Sequence, residues 1–189
     1  EEEPETIVKE KSEQKMEVSK PLYTIGIKDI PAEENEKVKK HIAIEILLNL
    51  IIGASSDLYK KLYDKGNCYS NPSIEYEFDK KYAHILITGQ ATNPEKLYED
   101  FKNEIQETKQ KGINKEDFER IKKMIYGAYV KEYDDVTDIA RMFLSDYFKG
   151  INSFDYIEQI GSVNKDYTEQ ILNEVFAENK MVLSVINSK

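Results

Sequence analysis

The segment over residues 42–52 constrains the fold most, because it reads as a helix with almost no polar side. Apolar residues recur every four positions from Val38 to Leu50, and only Glu45 and Asn49 interrupt the apolar run. A helix that is apolar nearly all round is covered by other elements on several sides. We therefore expect this helix in the middle of the fold.

Alternating apolar and polar residues predict strands on both sides of that helix. Residues 16–27 read as one strand that Pro21 interrupts, which places it at a sheet edge or a bulge. Residues 74–78 and 83–87 predict a β-hairpin with one buried face, and residues 181–186 a last short strand.

Helix start and stop residues predict helices in the remaining segments. Ser55 or Ser56 can cap a short second helix, and Asn93 and Asn114 can cap two longer ones. Further helices are expected over residues 136–149, 153–160 and 164–178. The resulting order, β-α-α-β-β-α-α-α-α-α-β, predicts an α+β fold with a mostly antiparallel sheet and helices packed on one face.

Length and composition predict one domain with a polar start. The chain has 189 residues, 40% of them hydrophobic, which suffices for one core. Residues 1–14 are mostly charged and are expected to form a linker or edge segment, whereas residues 15–189 form a single domain. Because Glu1 opens such a segment, we expect the chain to be part of a longer protein.

Charge and cysteine content exclude several classes of partner. With 36 acidic and 27 basic residues, the net charge of −9 repels nucleic acids and anionic membrane surfaces. No apolar run approaches the roughly 18 residues of a membrane span. Cys68 is the single cysteine and no secretory signal opens the chain, so a reducing, cytoplasmic location is predicted.

The pair His41 and Glu45 is the main candidate for a metal site. Four residues apart, the two side chains share one helical face, and that spacing can hold a metal ion or be an ordinary pair on a buried helix. The ordinary pair is favoured, because His84 is the only other histidine and no H-x-x-E-H or H-E-x-x-H sequence is present. The residues thus predict no metal site and no catalytic residue in this chain.

Other candidates for chemistry have structural interpretations that we favour. His84 is expected to be a packed or half-exposed strand residue, Cys68 lacks a nucleophile signature, and the Ser55-Ser56 pair is explained by capping. Thirteen tyrosines include a local group that suits either a peptide-binding surface or, more commonly, core packing. The members of this group are Tyr59, Tyr63, Tyr69 and Tyr76.

Three stretches resemble the pitrilysin/insulinase family of zinc peptidases, whose chains are built from paired, similar halves. The apolar helix over residues 43–53 with the Ser-Ser-Asp-Leu-Tyr of residues 55–59 resembles one family helix pair, and Gly66-Asn67-Cys68-Tyr69 resembles the G-x-x-Y turn. Residues 139–150 resemble a later family helix. The similarity covers roughly residues 16–187 and is to the C-terminal half.

This resemblance implies the non-catalytic half of a zinc peptidase. It implies a processing-peptidase-like half-domain without a cofactor, zinc in the missing N-terminal half, and a peptide substrate enclosed between the halves. The partner would be the N-terminal half of the parent chain or a homologous subunit.

The resemblance also assigns a substrate-contacting role to Tyr69, next to a family arginine. At the position of that arginine this sequence has Leu62, or Tyr63 if one residue is deleted. A partner subunit then supplies the arginine, or the parent is a non-proteolytic relative. The alternative function is accordingly an interaction or scaffold domain of the same fold.

Overall fold

The computed structural model describes residues 6–189, and in these it forms a mixed sheet and seven α-helices. Residues 1–5 of the expected linker or edge segment, which was placed over residues 1–14, lie outside the described part. The strands are β1 (Lys11–Met16), β2 (Leu22–Asp29), β3 (Ser73–Phe78), β4 (Ala83–Gln90) and β5 (Met181–Ser188). The helices are α1 (Lys37–Ile51), α2 (Asp57–Asp64), α3 (Pro94–Lys111), α4 (Lys115–Glu132), α5 (Val136–Lys149), α6 (Asp155–Ser162) and α7 (Lys165–Val175).

The five strands form one sheet in the order β1-β5-β2-β4-β3. All neighbouring strands are antiparallel except β1 and β5, which are parallel. Within β2, Tyr23, Ile25 and Ile27 are buried in the core shared with the helices. The predicted α+β class, with its mostly antiparallel sheet, is confirmed.

The first strand differs from the expectation of one strand interrupted at Pro21. The structure has two strands there, and β5 lies between them in the sheet. Strand β1 begins at Lys11, so the edge strand crosses the domain boundary that was expected at residue 14. Alternation identifies a strand but carries no information on its neighbours, which depend on contacts between distant segments.

Helix α1 lies at the centre of the fold, as its composition predicts. Ile42, Ile44, Ile46 and Leu47 have no exposed surface, and the helix contacts α2, α3, α4, α6, α7 and β3. Ser56, rather than Ser55, caps α2 by accepting a hydrogen bond from the Tyr59 amide at 3.1 Å.

Two helix ends differ from the expectation. Helix α6 starts at Asp155 instead of residue 153, and α7 ends at Val175 instead of residue 178. Phe176 leaves the helical conformation and is completely buried, and a short 3-10 helix over Glu178–Lys180 leads into β5. Burial of Phe176 in the core therefore decides where α7 ends.

Helix α5 is amphipathic but turns its apolar side chains outward. Asp146 is its only buried residue, whereas Phe143, Leu144, Tyr147 and Phe148 are 51–76% exposed. Gly150, with φ of +74°, ends the helix in the left-handed conformation that glycine adopts without strain. Among residues 6–189, no helix is both long and apolar enough to cross a membrane.

Candidate functional site

Strand β3 forms one edge of the sheet and leaves one side of its backbone unpaired by any described strand. It pairs with β4 in antiparallel register, from Ser73 opposite Thr88 to Phe78 opposite Ala83. An isolated bridge between Cys68 and Ala91 continues this pairing towards α2. An edge strand of this kind presents backbone N–H and C=O groups with which an extended peptide can pair.

The turn that contains Tyr69 lies just before this edge strand. Gly66 has φ of +66°, and the Thr92 hydroxyl donates a hydrogen bond to its carbonyl oxygen at 2.8 Å. The hydroxyls of Tyr69 and Thr92 are 2.9 Å apart, and Tyr69 remains 41% exposed. The turn is thus fastened to the segment that follows β4, and it holds the Tyr69 ring at the surface.

Lys20 adds a cation to this turn. Its Nζ lies 3.4 Å from the centre of the Tyr69 ring, a distance typical of a cation–π contact. Lys20 comes from the connection between β1 and β2, about fifty residues earlier, so no local spacing in the sequence relates it to Tyr69. Reasoning from the sequence missed this residue.

The two positions that can align with the family arginine differ in burial. Leu62 is 2% exposed and belongs to the core, whereas Tyr63 is 57% exposed and its ring centre lies 6.1 Å from that of Tyr59. Neither side chain offers a guanidinium group. Within the described residues, Lys20 is the cation found next to Tyr69.

A second group of polar residues surrounds a cavity of about 340 Å³ between α1, α4, α5, α6 and β3. His41 Nδ1 lies 2.7 Å from the Tyr156 hydroxyl oxygen, and the Tyr129 hydroxyl donates to Glu45 Oε2 at 3.3 Å. The rings of Tyr129 and Tyr156 stack at 4.9 Å between centroids. The predicted pair on α1 therefore forms hydrogen bonds to two tyrosines from distant helices.

Burial changes the protonation of the groups around this cavity. It raises the pKa of Glu45 to about 7, against the opposing effect of the Tyr129 hydrogen bond. It lowers the pKa of His41 to about 4, and the Lys149 ammonium acts in the same direction. The pKa of Asp146 is also raised, mainly by burial. Near neutral pH, His41 is therefore neutral and Glu45 is divided between its two forms.

The cavity residues do not suit a zinc ion. His41 is held by Tyr156, and among residues 6–189 no group of three or more His, Cys, Asp or Glu side chains converges as metal ligands. A protein zinc site needs at least three such ligands. The ordinary-pair interpretation of His41 and Glu45 therefore agrees with their surroundings.

The remaining candidates have structural partners. The His84 ring stacks on Tyr82 at 5.8 Å between centroids and is half-buried on β4. The Cys68 thiol is buried and donates to the Ser70 carbonyl at 3.1 Å, and burial raises its pKa. A raised thiol pKa reduces the thiolate form that a nucleophile requires.

Comparison with known protein families decides the relationship that the turn and the apolar helix indicate. The family model described as the peptidase M16 inactive domain matches residues 2–125, which is more than half of the chain. The chain belongs to the M16 inactive-domain family. The resemblance to zinc peptidases of this type is thereby confirmed.

Three relatives of this M16 domain are each about twice its length. The "uncharacterized zinc protease YmfH" of Bacillus subtilis is 24% identical over 191 residues, covering 99% of the chain and 44% of YmfH. A putative M16-like peptidase from Alicyclobacillus acidocaldarius superposes with a TM-score of 0.93 at 23% identity, over 100% of this chain and 46% of that one. A protease from Helicobacter pylori does so with 0.81 at 19% identity, over 98% and 45%. The chain thus spans less than half the length of each of these three relatives.

The M16 domain contains functional candidates that the sequence indicated only partly. The spacing of His41 and Glu45 drew attention to one wall of the cavity. Tyr129, Asp146 and Tyr156 come from three other helices, so no local pattern indicates that they meet. Tyr69 was singled out as one of a local group of tyrosines, and its substrate-contacting role was assigned through its family turn.

Proposed function

We propose that this domain is the substrate-enclosing, non-catalytic half of a zinc metallopeptidase. The observation that carries the proposal is the match to the M16 inactive domain, together with relatives that are about twice as long. The zinc site would belong to the other half, in the same longer chain or in a homologous subunit. Zinc bound there would polarise the scissile carbonyl and lower the pKa of its water.

The contribution of this chain would be to position the peptide. An extended substrate would pair with the free edge of β3, in the manner of strand addition. The hydroxyl of Tyr69 and the ammonium of Lys20 lie beside the start of that edge. The ammonium of Lys20 can donate a hydrogen bond to a peptide carbonyl, whereas the hydroxyl oxygen of Tyr69, whose proton is donated to Thr92, can accept one from a peptide N–H. Lys20 would thereby take part of the role of the absent arginine, without its two-pronged geometry.

The face of the sheet opposite the helices would pack against the other half. Leu86 and Val182 lie around Gly26 on this face, where an added Cβ on Gly26 would come within 2.9 Å of Val182 Cγ2. They border an open cavity of about 880 Å³. A sheet with apolar side chains on both faces requires a second covering layer, and the missing half is the occupant that the length of the relatives supplies.

A non-proteolytic scaffold is the second candidate, and it is favoured by Leu62 and Tyr63 at the arginine position. The residues that precede this domain in its parent chain discriminate between the two functions. An H-x-x-E-H sequence within about the preceding 200 residues, one further domain, supports the peptidase. Its absence there, and in any associated subunit, favours the scaffold.

We also propose a cytoplasmic location, because Cys68 is an unpaired thiol that a reducing compartment keeps reduced. Fractionation of cells that express the parent protein tests this. The protein is expected with the cytoplasmic markers, and recovery with periplasmic or secreted proteins would contradict the proposal.

Titration of the chain with an extended peptide, followed by amide NMR, tests the proposed positioning role. Shifts are expected for residues 69–78, and a peptide N-methylated at alternate residues should fail to produce them because it lacks pairing N–H groups. Tyr69→Phe and Lys20→Met should each weaken binding about 3- to 10-fold, the effect of one lost hydrogen bond.

Tyr126→Phe and Lys123→Met are the matched controls, since both residues are exposed on α4, away from β3. They should bind like the unmodified chain. Shifts that avoid β3, or equal binding of the N-methylated peptide, would contradict the proposed mode of binding.

A further inference from the structure

We propose that the cavity between α1, α5 and the edge strand β3 is a subsite for one organic cation, the ammonium or guanidinium group of a basic peptide side chain. The cavity has a volume of about 340 Å³. This is near the lower end for ligand pockets and suits one side chain or a small amine. The inference rests on the proposed function for the source of the cation, a peptide that lies along β3.

The charges around the cavity are unbalanced in favour of a cation. Four carboxylates border it, those of Glu45, Glu75, Glu77 and Asp146, and Lys149 is the only cationic side chain on its border. The Lys149 ammonium is already used, since it lies 3.2 Å from Glu77 Oε2. Glu45 and Asp146 have no cation among the described residues as an ion-pair partner, and an incoming cation would favour the ionised forms of both carboxyl groups.

Asp146 gives the most direct indication of a missing partner. It is 7% exposed, and its Oδ2 atom has no hydrogen-bond partner in the described part of the chain. The Ser153 hydroxyl lies next to it and lowers the pKa of Asp146, but the two groups do not meet in hydrogen-bond geometry. A carboxylate accepts about four hydrogen bonds and a hydroxyl donates one, so Ser153 cannot satisfy Asp146 alone. Most buried polar side-chain atoms have at least one hydrogen-bond partner, and a ligand N–H donor would supply one to Asp146.

The aromatic wall suits a cation rather than a neutral polar group. Tyr129 and Tyr156 stack on each other, and the His41 ring lies edge-on to Tyr156 at 5.4 Å between centroids. Aromatic faces attract ammonium and guanidinium groups, most strongly where water is excluded. His41 does not compete for the carboxylates, because it is neutral near pH 7.

The position of the cavity connects it to the peptide-binding edge. Ile74, Tyr76 and Glu77 of β3 border both the cavity and the free edge of the sheet. At about 3.3 Å per residue, Tyr69 and Glu77 are roughly 25 Å apart along an extended chain. A peptide of about eight residues that contacts Tyr69 can therefore direct one side chain into the cavity.

Two peptides that differ at one residue test the inference. One carries arginine at the position expected opposite Tyr76, whose side chain faces α1, and the other carries citrulline, which has the same shape without the charge. Binding to the chain is measured by fluorescence anisotropy at constant ionic strength. We expect the arginine peptide to bind about tenfold more tightly, and Asp146→Asn to reduce that preference to less than threefold.

Asp134→Asn is the matched control, because it removes the same charge from an exposed residue and should keep the full preference. Glu45→Gln is the second cavity variant. If Asp146→Asn loses its near-ultraviolet circular dichroism and is therefore not correctly folded, the preference for the arginine peptide is measured in Glu45→Gln instead. Equal binding of the two peptides, or an unchanged preference in the cavity variants, would overturn the cation subsite.

The outcomes also separate this inference from the proposed function. If both peptides bind equally and still shift the amides of residues 69–78, the positioning role stands and the cation subsite falls. If neither peptide binds at millimolar concentration, both fall. Binding of N-acetyl-arginine amide is measured as a third ligand. If it binds as tightly as the arginine peptide, the cation site does not require a peptide on β3. That result would contradict the inference.

Discussion

At the scale of single residues, Glu45 should make the stability of the domain depend on pH. Its pKa is raised in the folded state from 4.5 to about 7. The folded state therefore holds a proton that the unfolded state has released, and the stabilisation present below pH 4.5 is lost as the pH rises through 7. His41, whose pKa is lowered from 6.5 to about 4, acts in the opposite sense and destabilises the fold as the pH falls through that range.

Comparison of Glu45→Gln with the unmodified chain isolates the first of these effects. The change in the free energy of unfolding that the substitution causes should be about 2 kcal/mol more favourable at pH 8 than at pH 5, because glutamine never carries the buried charge. Urea denaturation at several pH values measures this difference. Glu119→Gln, at an exposed position of α4, should leave the pH dependence unchanged. A Glu45→Gln curve parallel to that of the unmodified chain would contradict the assignment.

At the scale of elements, α5 should contribute little to the stability of the isolated domain through its aromatic side chains. Phe148 is 76% exposed, whereas Phe101 on α3 has no exposed surface. Phe101→Ala should lower the free energy of unfolding by about 3–5 kcal/mol, and Phe148→Ala by less than about 0.5 kcal/mol. Thermal unfolding of the two variants measures both effects. A loss above about 2 kcal/mol for Phe148→Ala would show that α5 packs more closely than this structure has it.

Elements with a strong local pattern could be predicted, and their arrangement could not. The apolar run of α1 indicated a central helix, and the alternation around Tyr76 and Ile85 indicated the hairpin β3–β4. The insertion of β5 between β1 and β2 could not be read from the chain, because strand order depends on long-range packing. The outward aromatic face of α5 was equally hidden, since periodicity shows that a helix is amphipathic but not which side is covered.

At the scale of the whole molecule, the family could be predicted from resemblance, and the absence of catalytic chemistry in this chain could be predicted from its residue types. Two histidines and one cysteine predict a chain without a zinc site of its own. Lys20 beside Tyr69 and His41 beside Tyr156 bring together residues that are far apart in sequence, and only the folded chain shows these contacts. We therefore predict a domain that positions a substrate and depends on a partner for the chemistry of hydrolysis.

Hydrolysis of a quenched peptide by separated and recombined halves tests this dependence most directly. With zinc added, the 189-residue chain alone is expected to show no activity, the zinc-binding half alone very little, and the mixture an activity that rises with the concentration of this chain. Tyr69→Phe and Lys20→Met should reduce the activity of the mixture, and His41→Ala should not create or abolish a zinc site in this chain. Zinc-dependent cleavage by the isolated chain that disappears in His41→Ala would contradict the account.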